Sequence, residues 1–288
     1  MQTFMPYTQT ARKLINGSDK KKYDPFNRVE YQEKLSGDHW QFPETLMSLY
    51  YSPIYQELSD EQRWRMSLLE AINFFSINIH GEQALVAAME PRLYRDKRAG
   101  EDPVSSQYMQ RFIHEENSHT YMLADYCLRY YGSIFPDRSF AVEQPKLSVE
   151  AEDILYYGRI YILETYLGFV NEKTFNNPDV DKTAHQVHLY HFTDEVRHKA
   201  WDKVMIEENF HRAKAKGLDE ELRRVQVLLT TYQEYVEQSS CNPLVYRVMG
   251  FENILQLRTE AVANLRRKEM LSVWAEGLTQ FFSKVGFE

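Results

Sequence analysis

Between residues 184 and 205, stepping by three and four along the chain meets Ala184, His188, His191, Glu195, His198, Asp202 and Met205. That is the spacing of one face of an α-helix, yet five of its seven positions are ionisable where a packed bundle needs hydrocarbon. The same walk through residues 109–130 gives Met109, Phe112, Glu116, His119, Leu123, Tyr126 and Tyr130, an apolar stripe broken by one carboxylate and one imidazole. Two further stripes, Leu68, Ala71, Phe75, Asn78, Glu82, Leu85, Met89 and Tyr157, Ile160, Glu164, Leu167, Asn171, each carry one inward Glu. Unpaired in a core of low dielectric, such groups are strongly destabilising. The stripes hold no Lys or Arg to neutralise them, so a network of buried ion pairs would lack its cations. Two divalent metals would supply the charge.

The set matches the rule for carboxylate-bridged dinuclear sites in helical bundles, one Glu from each of two helices and a Glu-x-x-His pair from each of two others. The pairs are Glu116/His119 and Glu195/His198, with Glu82 and Glu164 as partners. Glu82 and Glu116 lie 34 residues apart and Glu164 and Glu195 31 apart, so each half reads as one antiparallel helix pair. His191, one turn before Glu195 on the same face, would add a nitrogen donor and break the two-fold symmetry. A lone Glu-x-x-His is expected by chance in a chain this rich in Glu, and Glu208/His211 is such a match. Ten residues beyond His198, Glu208 falls about 80° off the stripe, which places that pair toward solvent.

Glu115 and Asp194, each preceding an inward Glu, can hydrogen-bond the distal nitrogen of a ligand His across the bundle. His188, one turn outside the set, reads as a hydrogen-bonded core residue, and His80 and His114 fall off their stripes. Gly81 and Gly168 weaken their helices, either to make room for a substrate or to allow close helix packing.

The rest of the chain supports an all-α fold. Residues 1–40 are polar and weakly periodic and are expected to form an N-terminal arm, with residues 41–288 as a single domain. Ser59 and Gln62 form a capping-box signature that opens the first long helix, and Pro91 is expected to close it. A second helix is expected from near Pro103 to Gly132, then a long connection to Ser148 carrying Pro136 and Pro145. A third helix reaches about Phe175, a fourth begins past Pro178, and two or three more flank these beyond Gly217, with a break at Asn242-Pro243.

A formal charge of -8, with basic residues scattered apart from Lys20-Lys21-Lys22, argues against nucleic acid as a partner. No window reaches the roughly 20 apolar residues that span a membrane, and the first residues lack the apolar stretch of a signal peptide. A cytoplasmic location is expected. Cys127 and Cys241, the two cysteines, read as unreactive core thiols.

The run Asp194-Glu195-Val196-Arg197-His198 resembles the Asp-Glu-x-Arg-His signature of ferritin-like diiron oxygenases. His191, four residues before Glu195, is similar to the extra histidine of one branch, the arylamine or p-aminobenzoate N-oxygenases, and the likeness runs from about Trp40 to the last helices. The resemblance implies a ferritin-like helical bundle of four core helices with flanking helices. It implies that Glu82, Glu116, His119, Glu164, His191, Glu195 and His198 hold two iron ions, with no catalytic group beyond these ligands. It also implies O2 as co-substrate, an external reductase or other electron donor, and oxidation of a small-molecule amine to a hydroxylamine, nitroso or nitro product. A homodimer is expected. Leu123 stands where radical-generating ribonucleotide reductases carry a tyrosine. A diiron hydroxylase or desaturase acting on carbon is the enzymatic alternative, and a ferroxidase-like iron protein the non-enzymatic one. No residue identifies the substrate; Arg258, Arg266 and Arg267 could face a carboxylate but read as solvated surface arginines.

Overall fold

The structure is a computed structural model, described over residues 6–20, 29–98, 103–138 and 146–287. It is helical throughout: α1 (Pro6–Lys20), the single turn α2 (Pro53–Gln56), α3 (Asp60–Arg98), α4 (Pro103–Tyr130), α5 (Val149–Phe175), α6 (Lys182–Ala215), α7 (Asp219–Ser239), α8 (Pro243–Met249), α9 (Ile254–Ala263) and α10 (Leu265–Val285). Helices α3 to α6 are the long ones and carry the four stripes. They pack as two antiparallel pairs, α3 with α4 and α5 with α6, as the stripe spacing implies, and form the ferritin-like bundle that the resemblance implies. Among the described residues no helix is long and apolar enough to cross a membrane.

Local chemistry fixes the ends of these helices. Ser59 and Gln62 cap α3 reciprocally: the Ser59 amide donates to Gln62 Oε1 at 2.9 Å and the Gln62 amide to Ser59 Oγ at 3.3 Å. α4 ends where Gly132 takes φ 85° and its amide returns to the Cys127 carbonyl. Asp181 caps α6 by accepting from the Thr183 amide at 2.8 Å. Its own amide donates to the Trp40 carbonyl, while the Trp40 amide donates to Asp179, pinning residue 40 to the entry of α6.

Three expectations change. Pro91 does not end the first long helix, which continues to Arg98. An interior proline costs about 3 kcal/mol, and the turn beyond it is held by buried Leu93 and by Arg92 and Arg95. These close on the buried Asp153 carboxylate of α5 at 2.9 and 2.6 Å. Beyond Gly217 there are four helices rather than two or three. The added boundaries fall at Gly250, with φ 83°, and at Asn264, whose side chain accepts from the Arg267 amide. The N-terminal segment carries α1, whose Tyr7, Ala11, Leu14 and Ile15 are buried against α4 and α6. Lys21 and Lys22, and residues 139–145 of the long connection, lie outside the described residues.

The core is continuous around the stripes, with Phe75, Phe112, Leu123, Tyr126, Tyr157 and Trp201 fully enclosed. Each such side chain stabilises the fold by roughly 1.5–3 kcal/mol. Cys127 and Cys241 are both buried, and burial pushes the Cys127 thiol up to about 12, which leaves it unreactive.

Candidate metal centre

The four long helices bring all seven inward groups to one place. Glu82, Glu116, His119, Glu164, His191, Glu195 and His198 are each 3% exposed or less. Their ligating atoms form two overlapping groups, Glu82, His119, His191, Glu195 and Glu116, Glu164, Glu195, His198, each within 4.8 Å. Glu195 belongs to both. Its Oε1 lies 2.9 Å from His191 Nε2, 3.3 Å from His119 Nδ1 and 3.7 Å from His198 Nδ1. His191 Nε2 also lies 3.2 Å from Glu82, and His198 Nδ1 2.7 Å from Glu116.

These groups fit a pair of metal ions. Both oxygens of Glu82, Glu116 and Glu164, Glu195 Oε2, His119 Nδ1, His191 Nε2 and His198 Nδ1 are buried without a hydrogen bond. Orphans of that density are rare in a folded core, and these ten atoms come from the seven residues of the two groups alone. Burial alone would lower the basicity of the imidazoles, but the carboxylates around them outweigh it, so His119 and His198 are raised and His191 is pushed up to about 10. Burial pushes Glu82 and Glu164 up, whereas the three histidines hold Glu195 down against burial. Protons thus occupy the place of cations. Carboxylate oxygen with imidazole nitrogen is a donor set suited to iron and its first-row neighbours.

Each histidine is oriented from behind. His198 Nε2 donates to Glu115 Oε2 at 3.0 Å and His119 Nε2 to Asp194 Oδ2 at 3.1 Å. Each of these carboxylates immediately precedes a Glu of the opposite Glu-x-x-His helix, as expected. Arg197 joins the two by donating to Glu115 Oε1 at 2.7 Å and to Asp194 Oδ1. Ser18 of α1 adds a bond to Glu115 at 2.8 Å. Burial would raise Glu115, but His198, Arg197 and Ser18 hold it far below the usual carboxylate range.

His191 has a different support, the Asn171 amide, which sits 3.1 Å from its Nδ1 and 2.6 Å from His188 Nδ1. Oxygen and nitrogen of an amide exchange places on rotation. Here the amide nitrogen faces His191 and the oxygen faces His188; metal ligation through His191 Nε2 would select the reverse orientation, with oxygen accepting from His191 Nδ1. His188 is a core residue, as expected, packed against Phe42, Phe74 and Phe75.

Sequence position alone gives no role to Arg197, Asn171, Ser18 or Asp202. Asn171 and Asp202 did lie on the stripes; Asp202 is fully buried and, with Glu164, pushed up by burial. Among the other candidates, His211 is exposed and Glu208 pairs with Arg212 at 3.1 Å, the solvent-facing placement expected. Arg267 is a correction: it is 3% exposed and donates to Ser240 at the end of α7, because the first turn of α10 is held among Ser240, Tyr166, Tyr246 and Glu70 rather than in water.

A cavity of about 620 Å³ lies beside the centre between α3, α5, α7 and residues 135–138. Ile77, Leu85, Leu155, Ile160 and Phe135 supply an apolar lining, with Arg138, Arg159 and Tyr232 among the polar groups. Arg258, Arg266 and Arg267 do not line it. Gly81 does, whereas the space above Gly168 is taken by Lys199 and Phe192.

The family model of the p-aminobenzoate N-oxygenase AurF matches residues 5–286. Among solved structures, an R2-like ligand-binding oxidase with an aerobically reconstituted Mn/Fe cofactor superposes with a TM-score of 0.55 at 14% identity, covering 95% of this chain and 94% of that one. A variant of that oxidase with a non-activated Mn/Mn cofactor gives 0.55 at 13% identity, with the same coverage. At such identity the likeness is one of fold. No curated protein sequence matches the chain.

Proposed function

Because the chain belongs to the p-aminobenzoate N-oxygenase family, whose members are oxygen-activating dimetal oxidoreductases, we propose that it is a diiron monooxygenase that oxidises the nitrogen of a small amine. The observation that carries this reading is the convergence of ten orphaned donor atoms from Glu82, Glu116, His119, Glu164, His191, Glu195 and His198. These seven residues would hold the two irons, and Glu195 is the one that belongs to both donor groups. When bound, the irons would supply O2 binding and electron transfer to it. The first oxidation balances as R-NH2 + O2 + 2 e⁻ + 2 H⁺ giving R-NHOH + H2O, with the electrons coming from an external donor.

The chain's own residues orient and enclose. Glu115 and Asp194 keep the distal imidazole protons of His198 and His119 in place, so the proximal nitrogens present lone pairs inward. Phe112, stacked on His198 at 3.8 Å between ring centres, and buried Leu123 and Trp201 exclude water from that side. On the other side the cavity lined by Gly81 and Leu163 would receive the substrate, its apolar walls holding the body of the molecule and its polar groups fixing orientation.

The test is to load the protein anaerobically with ferrous iron, then add an electron donor, O2 and a panel of aryl and alkyl amines with fatty-acyl substrates as controls. Hydroxylamine, nitroso or nitro products detected by mass spectrometry support the proposal. Oxygenation of the acyl compounds alone would transfer the chain to carbon chemistry, and iron oxidation with no organic product would make it a ferroxidase.

A further inference from the structure

We infer that Leu163, resting on Gly81, is the partition between the cavity and the dimetal centre, and that it sets which substrates reach the metals. This rests on the reading that the cavity receives substrate. Gly81 and Leu163 each precede an inward glutamate, Glu82 on α3 and Glu164 on α5, and both line the cavity. Their contact is therefore a part of the cavity wall that stands one residue along the chain from Glu82 on α3 and from Glu164 on α5.

The contact is tight. A Cβ on Gly81 would stand 2.8 Å from Leu163 Cδ2, well inside the separation at which carbon atoms pack. Glycine weakens a helix interior, and Gly81 is not among the glycines with positive φ. No backbone conformation requires it there. What requires it is the space that Leu163 occupies. Leu163 is itself 7% exposed and ends in methyl groups that can change rotamer, so it is a movable wall where the flanking helix backbones are fixed ones.

The dimensions define the ligand. At about 620 Å³ the cavity is several times the ~150 Å³ that encloses benzene, so it suits a molecule larger than one ring. A partition made by one leucine side chain suits only a slim terminus. The substrate class is an extended, largely apolar amine that inserts its nitrogen-bearing end past Leu163.

The experiment uses the diferric protein without substrate, read by stopped-flow absorbance with azide as a small probe and phenol as a bulky one. Both give charge-transfer bands when they bind ferric iron. Leu163→Ala should raise the phenol on-rate about tenfold while changing azide less than about twofold, and Gly81→Ala should slow phenol by driving the leucine inward. Leu163→Val serves if the alanine variant fails to fold. Equal acceleration of both probes would indicate general loosening and overturn the partition. Ala88→Phe, which fills the cavity six residues along α3 from Glu82, separates the two readings. If it slows phenol but the Leu163 variants do not change it, the partition is wrong and the cavity remains the route. If it leaves phenol unaffected, the cavity reading fails and the partition with it.

Discussion

Glu115 holds His198 from behind at 3.0 Å while Glu116, the next residue, faces the other nitrogen of the same ring at 2.7 Å. Adjacent side chains on a helix diverge by about 100°, so α4 reaches both sides of an imidazole that belongs to α6. Asp194 and Glu195 do the same to His119 of α4. The two helices therefore lock each other's ligands.

Glu115→Gln removes the charge that fixes the His198 tautomer and leaves Arg197 with one carboxylate. Metal affinity should fall about 10–100-fold, measured by competition with a chelator. Unchanged affinity would mean that packing alone, through Phe112, orients His198.

Glu116→Ala and His198→Ala should each reduce bound iron, by elemental analysis, and abolish turnover. His211→Ala, on the exposed side of α6, should do neither. Equal loss at His211 would place the site on the wrong face of the helix.

Metal uptake should release protons. In the metal-free protein the carboxylates around His119, His191 and His198 raise all three against burial, and His191, pushed up to about 10, carries an extra proton at neutral pH. Cations compete with such protons, and the competition is lost only as pH rises through the raised values. Affinity should thus climb between about pH 6 and 8 and still be climbing at the upper end. Calorimetry in buffers of different ionisation enthalpy measures the protons; a heat independent of buffer would contradict the protonated state.

Glu70 gives a pH effect separate from the metals. Burial pushes it up to about 7, against the Ser48 hydroxyl and amide and Arg267, which favour its charge. A carboxyl raised on folding stabilises the folded chain below its unfolded value, and that contribution is lost as pH rises to about 7. Its size is at most about 3 kcal/mol. Glu70→Gln should flatten the urea stability profile between about pH 4.5 and 7 relative to the unsubstituted chain. Parallel profiles would show that Glu70 ionises normally.

The cluster of buried carboxylates and imidazoles was legible because its members interrupt apolar stripes on α3, α4 and α5 and form a polar seam on α6, a pattern that survives any shift in helix ends. Glu115 and Asp194 were legible by position alone. Ser18 was not, because the stripe of α1 is only Tyr7, Ala11, Leu14 and Ile15, followed by Gly17 and a run of lysines. Pro91 misled because a local rule was overridden from a distance: Asp153, on another helix, holds the turn beyond it. Arg267 misled for the same reason, since its burial depends on Ser240, Tyr166 and Glu70, all distant in sequence. The cavity draws its walls from α3, α5, α7 and a loop, and no periodicity within one segment encodes a space shared among four.

The two overlapping donor groups differ in composition: Glu82, His119, His191 and Glu195 contain two imidazoles, whereas Glu116, Glu164, Glu195 and His198 contain one. Nitrogen favours ions later in the first transition row, and oxygen tolerates earlier, harder ones. A centre of this kind has chemical polarity. Offered a mixture of two divalent ions, it would sort them by position, and His191 with its Asn171 support would be the residue that makes the two ends distinguishable.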